Sequence, residues 1–283
     1  MKKNHNPDCD YLVIGHITHD VCGNSYTLGG TAAYAALCAK SLGRKACILT
    51  SMPTDTHLPD LQGIPISIKH AETITTFKNT ETDAGREQFV LDTALKISIA
   101  DIPSFRKECQ IVHLGPVMDE IDEILVNSFP NSFIGITPQG WMRKRGAHGK
   151  IGFRALKNPK ELFSKASAAV FSIEDVLGNE DLIAKYAGYS TILAVTEGYN
   201  GARIYWNGDV RHFQAPKIEL VDATGAGDIF AAVFFDSLAN AIDPWDAGRR
   251  AVAVASQSVT RKGLAGIPTK NEVDAFKIDI IEG

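Results

Sequence analysis

The feature that most limits the fold of this chain is a repeated succession of short apolar runs and helix-forming stretches. Tyr11-Leu12-Val13-Ile14-Gly15 is apolar and ends in glycine, as a buried strand does. Gly29 to Leu42 is rich in small, helix-favouring residues, with Gly43 as its stop. Ala46 to Thr50 reads as a second strand. Gln110 to Leu114 and Ser132 to Ile136 are further strands, separated by an expected helix from Met118 to Phe129. Ala168 to Phe171 and Ile192 to Val195 continue the series, with helical segments between. Such alternation predicts an α/β fold whose sheet is mostly parallel and covered on both faces.

One region breaks the rhythm. Thr73 to Phe77 and Gln88 to Leu91 resemble strands of partly alternating character, and Asp83-Ala84-Gly85 between them is turn-like. With no helix between them, they predict an antiparallel hairpin inserted in the α/β frame. Together with Val21 to Leu28 it is expected to form a small sheet, a lid spanning about 21–28 and 66–99. It reads either as a lid that excludes water over substrate or as an immobile edge hairpin. Without repeats, low-complexity segments or linker-like runs, residues 1–283 read as one domain with an excursion.

Composition excludes several classes. Hydrophobic residues make up 45% and charged residues 22%, which argues against disorder. Lys plus Arg is 29 against 33 for Asp plus Glu, a net charge of −4 that disfavours nucleic-acid binding. The five cysteines, Cys9, Cys22, Cys38, Cys47 and Cys109, contain no C-x-x-C pair and predict reduced thiols rather than a disulfide framework. Met1-Lys2-Lys3 leads into polar residues rather than a signal-peptide core, and runs such as Phe230 to Phe235 fall far short of the ~20 residues of a membrane span. The chain is expected to be soluble and cytoplasmic.

The chemistry concentrates in Val221-Asp222-Ala223-Thr224-Gly225-Ala226-Gly227-Asp228, followed by apolar, helix-forming residues. Glycines just before a helix let backbone N–H groups approach an anion, and the helix N-terminus adds a favourable field. A carboxylate at that mouth repels a phosphate, unless it takes a proton from a hydroxyl that attacks the phosphorus. The alternative is an Asp that only caps the helix. No G-x-x-x-x-G-K-[ST] occurs, and a G-x-G-x-x-G reading from Gly225 fails at Phe230, so P-loop and dinucleotide readings fall away.

At this point the chain resembles the PfkB/ribokinase family of carbohydrate kinases. Asp222 to Asp228 matches the family's D-T-x-G-A-G-D signature with Ala223 in place of Thr, and Val195 to Ala202 matches its V-T-x-G-x-x-G-A element. Gly15 to Asp20 and the pair Gly29-Gly30 match its first strand and glycine pair, and Ala251 to Gly263 also looks like the family. The resemblance implies a ribokinase-like three-layer α/β/α sandwich with a small β-sheet lid, and an ATP- and magnesium-dependent kinase.

It also implies roles. Asp228 would be the general base, with backbone N–H groups of Gly225, Ala226 and Gly227 holding the charge on the transferred phosphoryl. Thr196, Gly198 and Gly201 would sit against the donor phosphates, and Val252, Ala253 and Ser256 would line the adenine side. Thr18, Asp20, Gly30 and Thr31 would bind acceptor hydroxyls. Asp222 would help hold a monovalent cation or brace the anion loop.

Departures from the family pattern shape the acceptor. Tyr34 stands where an Asn usually bonds the sugar, and Gly115-Pro116 follows a strand that in ribokinases carries an acidic contact. The family's N-x-x-E element appears as Ser172-Ile173-Glu174-Asp175; Asp175 is assigned to organise magnesium, with Glu174 as the alternative register. Thr137 to Arg143, with Ser172, looks like the subgroup of inositol kinases. Gln139 and Arg86 are therefore candidate substrate contacts, each equally readable as a turn residue or a solvated lid residue. His16 and His19 form an H-x-x-H without a third ligand, and His16 reads as structural. The function expected is transfer of the γ-phosphoryl of ATP to a hydroxyl of a small polyol or sugar, inositol-like, with a nucleoside acceptor or a lapsed nucleotide-binding regulator as alternatives. A lid edge can also pair two subunits into a homodimer.

Overall fold

The computed structural model describes residues 9–23, 25–82, 85–103 and 108–276, with the backbone alone at 81, 82, 85 and 86. Its strands are β1 (Tyr11–Ile14), β2 (Thr18–Cys22), β3 (Ser25–Gly29), β4 (Ala46–Met52), β5 (Ile66–His70), β6 (Thr75–Thr82), β7 (Gly85–Asp92), β8 (Ile111–Leu114), β9 (Phe133–Ile136), β10 (Arg143–Arg145), β11 (Ile151–Phe153), β12 (Ala168–Ser172), β13 (Ile192–Thr196), β14 (Ala202–Trp206) and β15 (Asp209–Phe213). Its α-helices are α1 (Thr31–Ser41), α2 (Pro159–Lys165), α3 (Glu180–Ala187), α4 (Ala226–Ala239), α5 (Pro244–Ser258) and α6 (Lys270–Ala275).

Nine strands form the main sheet in the order β15-β14-β13-β12-β9-β8-β1-β4-β5. It is parallel from β5 to β13, and β14 and β15 close one edge antiparallel. Side chains alternate between its faces, as a strand's period of two requires. Tyr11 and Val13 join an apolar cluster with residues of α1, α4 and α5. Leu12 and Ile14 join a second cluster with residues of α2 and α3. These layers make the expected three-layer sandwich. The first layer is held chiefly by α4, apolar on all sides, whose Phe230, Phe234 and Phe235 are buried. Each such ring stabilises the fold by roughly 1.5–3 kcal/mol. Gly135 in β9 leaves room for one of them, since a Cβ there would strike the Phe235 ring.

The small sheet has the order β3-β2-β6-β7, with β2 and β6 parallel. Its Phe77 and Val90 pack on Val117 and Met118, in the loop after β8, so it stands over the C-terminal ends of the main strands. The expected lid span was too wide at its start. Ile66–His70 pairs with β4 and extends the main sheet, because the fully buried β4 presents an open edge that another strand must satisfy. The Asp83-Ala84 turn lies outside the described residues. The expected helix from Met118 to Phe129 is only a 3₁₀ segment over Glu123–Asn127. Asp119 adopts a left-handed φ of 60°, and the Glu120 carboxylate accepts bonds from the Val117 and Met118 amides, which coils this stretch as a loop. Cys9 and Cys47 form a disulfide, against the expectation of reduced thiols. The cause is the pairing of β1 with β4, which sequence spacing does not reveal. No helix of the described residues is long and apolar enough to cross a membrane.

Candidate active site

The C-terminal ends of β1, β8, β9, β12 and β13 open toward the N-terminus of α4, the place where open parallel sheets hold ligands. Glycines bring these loops close together. A Cβ on Gly15 would meet the Gly115 carbonyl, and one on Gly115 would meet the Thr31 side chain. No longer side chain fits at 115, which explains why an acidic contact is missing after β8. Of the two acids in this loop, Asp119 pairs with Arg154 and Lys96, whereas Glu120 is 1% exposed and turned inward. Its carboxylate accepts from the amides of His16 (3.1 Å), Val117 (2.9 Å) and Met118 (2.6 Å), tying the loop after β1 to the loop after β8.

Asp228 lies in the first turn of α4. Burial pushes its carboxyl up to about 6, and the charges of Asp175 and Asp20 add to the rise. A hydrogen bond from the Thr31 side chain and the Arg143 guanidinium oppose it. Asp228, Asp175, Asp20, Thr31 and Arg143 therefore share one electrostatic environment. Gly225, the N-cap of α4, takes a left-handed φ of 78°, and a Cβ on it would collide with the Tyr34 ring. A Cβ on Gly227 would meet open space. The Ala226 amide donates to the Ala223 carbonyl (3.2 Å), so it closes the turn. Asp222 accepts from Thr224 (2.9 Å) and from Gly263 (2.8 Å), bracing the loop against the segment after α5.

On the acceptor side, the Asp20 carboxylate and Thr18 hydroxyl crowd over Gly29. Gly30 holds a φ of 89° with the His16 carbonyl where its Cβ would be. Tyr34 is buried, and burial together with the charges of Asp228, Asp222 and Asp20 raises its hydroxyl above the ordinary range. Gln139 donates from Nε2 to Asp175 Oδ1 (2.9 Å), and the Ser172 amide donates to Asp175 Oδ2 (2.8 Å). Burial raises the Asp175 carboxyl, opposed by Arg143, Gln139 and Ser172. Glu174 is exposed, so of the two registers Asp175 is the acid turned toward Asp228. Arg143, at the start of β10, donates to the Val117 carbonyl (3.0 Å) and sits 5.8 Å over the Phe77 ring. Sequence reasoning placed it only at the end of the segment Thr137 to Arg143 and gave it no role of its own. The backbone of Arg86 lies in β7, opposite Glu81.

On the donor side, Thr196 ends β13 beside Ser172. Gly198 and Gly201 form a tight turn with left-handed φ values of 57° and 96°. A cleft of about 620 Å³ opens beside it, lined by Tyr199, Asn200, His212 and residues 214–218. The adenine-side expectation fares unevenly. Val252 is 6% exposed and packs in the core, because its face of α5 is turned toward the sheet, while Ala253 and Ser256 are half-buried. The Ser256 hydroxyl donates to the Val252 carbonyl of its own helix (2.8 Å). His16 is structural, as expected: its ring meets Thr75 Oγ1 at 2.7 Å and the Leu95 carbonyl at 2.9 Å.

A divalent cation fits this donor set. Asp175 offers hard carboxylate oxygens, and its charge opposes the ionisation of Asp228, a cost that a cation at Asp175 would relieve.

A mostly parallel sheet with a small sheet over its C-terminal end is the arrangement of the ribokinase fold. Residues 163–270 match the pfkB family carbohydrate kinase profile. The chain is 26% identical to a cytidine kinase of Thermococcus kodakarensis over 80% of its length and 87% of that protein. It is 26% identical to an inositol 3-kinase of Zea mays, covering 93% of this chain and 74% of that one. A pyrophosphate-dependent kinase in the ribokinase family, complexed with a pyrophosphate analog and myo-inositol, superposes with a TM-score of 0.79 at 19% identity, over 94% of this chain and 99% of that one. Residues 163–270 thus resemble a pfkB family carbohydrate kinase domain, and the relatives that the chain matches are kinases of sugars, polyols or nucleosides. Kinases of the family use ATP, typically with Mg²⁺.

Proposed function

We propose that the chain transfers the γ-phosphoryl group of ATP to a hydroxyl of an inositol-like polyol, with Asp228 as general base. One observation carries this reading: a carboxyl held at about 6 in the first turn of α4, beside a glycine-opened helix N-terminus. A base poised near the working pH is charged often enough to act and basic enough to take a proton.

In this reading the acceptor lies against Asp20, Thr18, Gly30 and Thr31, walled by Tyr34, with Gln139 oriented by Asp175 and Arg86, a residue of β7, as a further contact. Asp228 takes the proton of the acceptor hydroxyl as its oxygen bonds to phosphorus and the bond to ADP breaks. The Gly225 and Gly227 amides and the α4 N-terminus stabilise charge on the transferred group, and Arg143 adds positive charge. Thr196, Gly198 and Gly201 hold the donor phosphates, with Ala253 and Ser256 toward its base. Asp175 would hold Mg²⁺, which supplies charge neutralisation at the phosphates and leaves Asp228 to take the proton. The small sheet and main body act as one domain, and closing the small sheet keeps water from the phosphoryl group.

The polyol reading draws support from the Zea mays inositol 3-kinase and the neighbour bound to myo-inositol. The cytidine kinase relative favours a nucleoside as second reading. Mass detection of products from myo-inositol, ribose, fructose and cytidine, each with ATP and with pyrophosphate, decides between them. Phosphorylated inositol formed with ATP is expected. Product from cytidine alone overturns the acceptor, product with pyrophosphate alone overturns the donor, and no product overturns both.

A further inference from the structure

Three cysteines that phosphoryl transfer does not use meet at the opposite end of the sheet from the candidate site. Cys9 precedes β1, Cys47 is the second residue of β4, and Cys109 precedes β8; these three strands are neighbours in the sheet. All three residues lie in the same apolar cluster, at 3%, 0% and 2% exposure, and their sulfurs lie within 4.8 Å of one another. Cys9 is bonded to Cys47, and Cys109 Sγ stands 3.5 Å from Cys9 Sγ. Cys22 is exposed on the small sheet, and Cys38 packs on the other face of the main sheet.

We propose that Cys9, Cys47 and Cys109 form a thiol–disulfide exchange site, with Cys9 as the shared sulfur. The Cys109 thiol loses its proton and its sulfur attacks Cys9 Sγ. The Cys9–Cys109 bond forms, the Cys9–Cys47 bond breaks, and the electron pair leaves on Cys47, which takes up the proton. The exchange is balanced without an oxidant. A disulfide plus a neutral thiol is also the state that an apolar interior favours. A metal held by three thiolates would bury net negative charge, and no fourth ligand joins the group among the described residues. The bond thus ties the start of β1 to either neighbouring strand. In the Cys9–Cys47 form it closes a loop containing Thr18, Asp20, Gly30 and Tyr34, the acceptor-side residues.

The test is peptide mapping by mass spectrometry of protein purified without reductant, equilibrated with oxidised glutathione, then quenched with acid and alkylated. Wild type should show Cys9–Cys47 as the main link and Cys9–Cys109 as a minor one. Cys47→Ala should move the link to Cys9–Cys109, with circular dichroism unchanged, and leave Cys22 and Cys38 alkylated. Five alkylated cysteines in wild type, a folded Cys47→Ala without the new link, or stoichiometric zinc or copper would each overturn the proposal. Should Cys47→Ala fail to fold, the minor link in wild type decides: its absence at equilibrium also overturns the exchange.

Discussion

The ring of Tyr34 fills the space that a side chain on Gly225 would need, so the acceptor wall and the phosphate loop are fitted to each other. The two residues are 191 positions apart, on α1 and at the N-cap of α4, and this contact sets how closely the acceptor side can approach the helix that carries Asp228. Gly225→Ala should therefore be doubly unfavourable, through the left-handed φ of 78° and the clash. A loss of about 1–3 kcal/mol in urea denaturation is expected, with at least a tenfold fall in kcat. Tyr34→Ala in the same chain should return part of the stability, and full additivity of the two changes would refute the fitted contact.

The acidic limb of kcat/KM should fall through an apparent pKa of about 6, because Asp228 must be ionised to accept a proton. Arg143 holds that carboxyl down, so Arg143→Met should move the limb to higher pH. Asp175 pushes it up, so Asp175→Asn should move the limb lower. Shifts in the opposite directions would show that the limb belongs to another group.

His16 bridges the base of the small sheet to the loop leading to Asp20. The Ala94 amide donates to Thr75 Oγ1 (3.0 Å), which leaves the Thr75 hydroxyl to donate to His16 Nδ1, while Nε2 donates to the Leu95 carbonyl. Thr75→Val removes the link with little change of volume. It should raise ATP hydrolysis in the absence of acceptor and speed amide exchange at Ala94. Unchanged exchange and hydrolysis would show that the link does not hold the small sheet.

His113 lies fully buried between Tyr11 Oη (3.3 Å) and Thr137 Oγ1 (3.1 Å), and burial lowers its pKa to about 3. The unfolded chain takes up a proton near pH 6.5 that the folded chain refuses, so this stability is present above pH 6.5 and lost as pH falls toward 3. The loss reaches about 1.4 kcal/mol by pH 5.5. Urea midpoints from pH 8 to 5 should show this decline, and His113→Gln should remove it.

Much of the frame was legible because buried parallel strands leave continuous apolar runs, as at Tyr11–Ile14 and Ala168–Ser172. The edge strand Asp209–Phe213 was not, since an exposed strand carries no apolar pattern. Nor was the loop at Met118 to Phe129, where its apolar spacing imitates a helix while Glu120 folds inward on backbone amides. In the candidate site, the glycine turn and Asp228 stood out because few other arrangements need that spacing. Arg143 did not, because its contact with the site is made through the tertiary approach of β10 to Val117 and Phe77.

The account turns on Asp228 as proton acceptor, and single-turnover kinetics of Asp228→Asn tests it most directly. With ATP affinity retained, the rate of phosphoryl transfer should fall by ~10²–10⁴-fold, and the melting temperature should hold or rise because a buried charge is removed. A transfer rate within threefold of wild type would contradict the account.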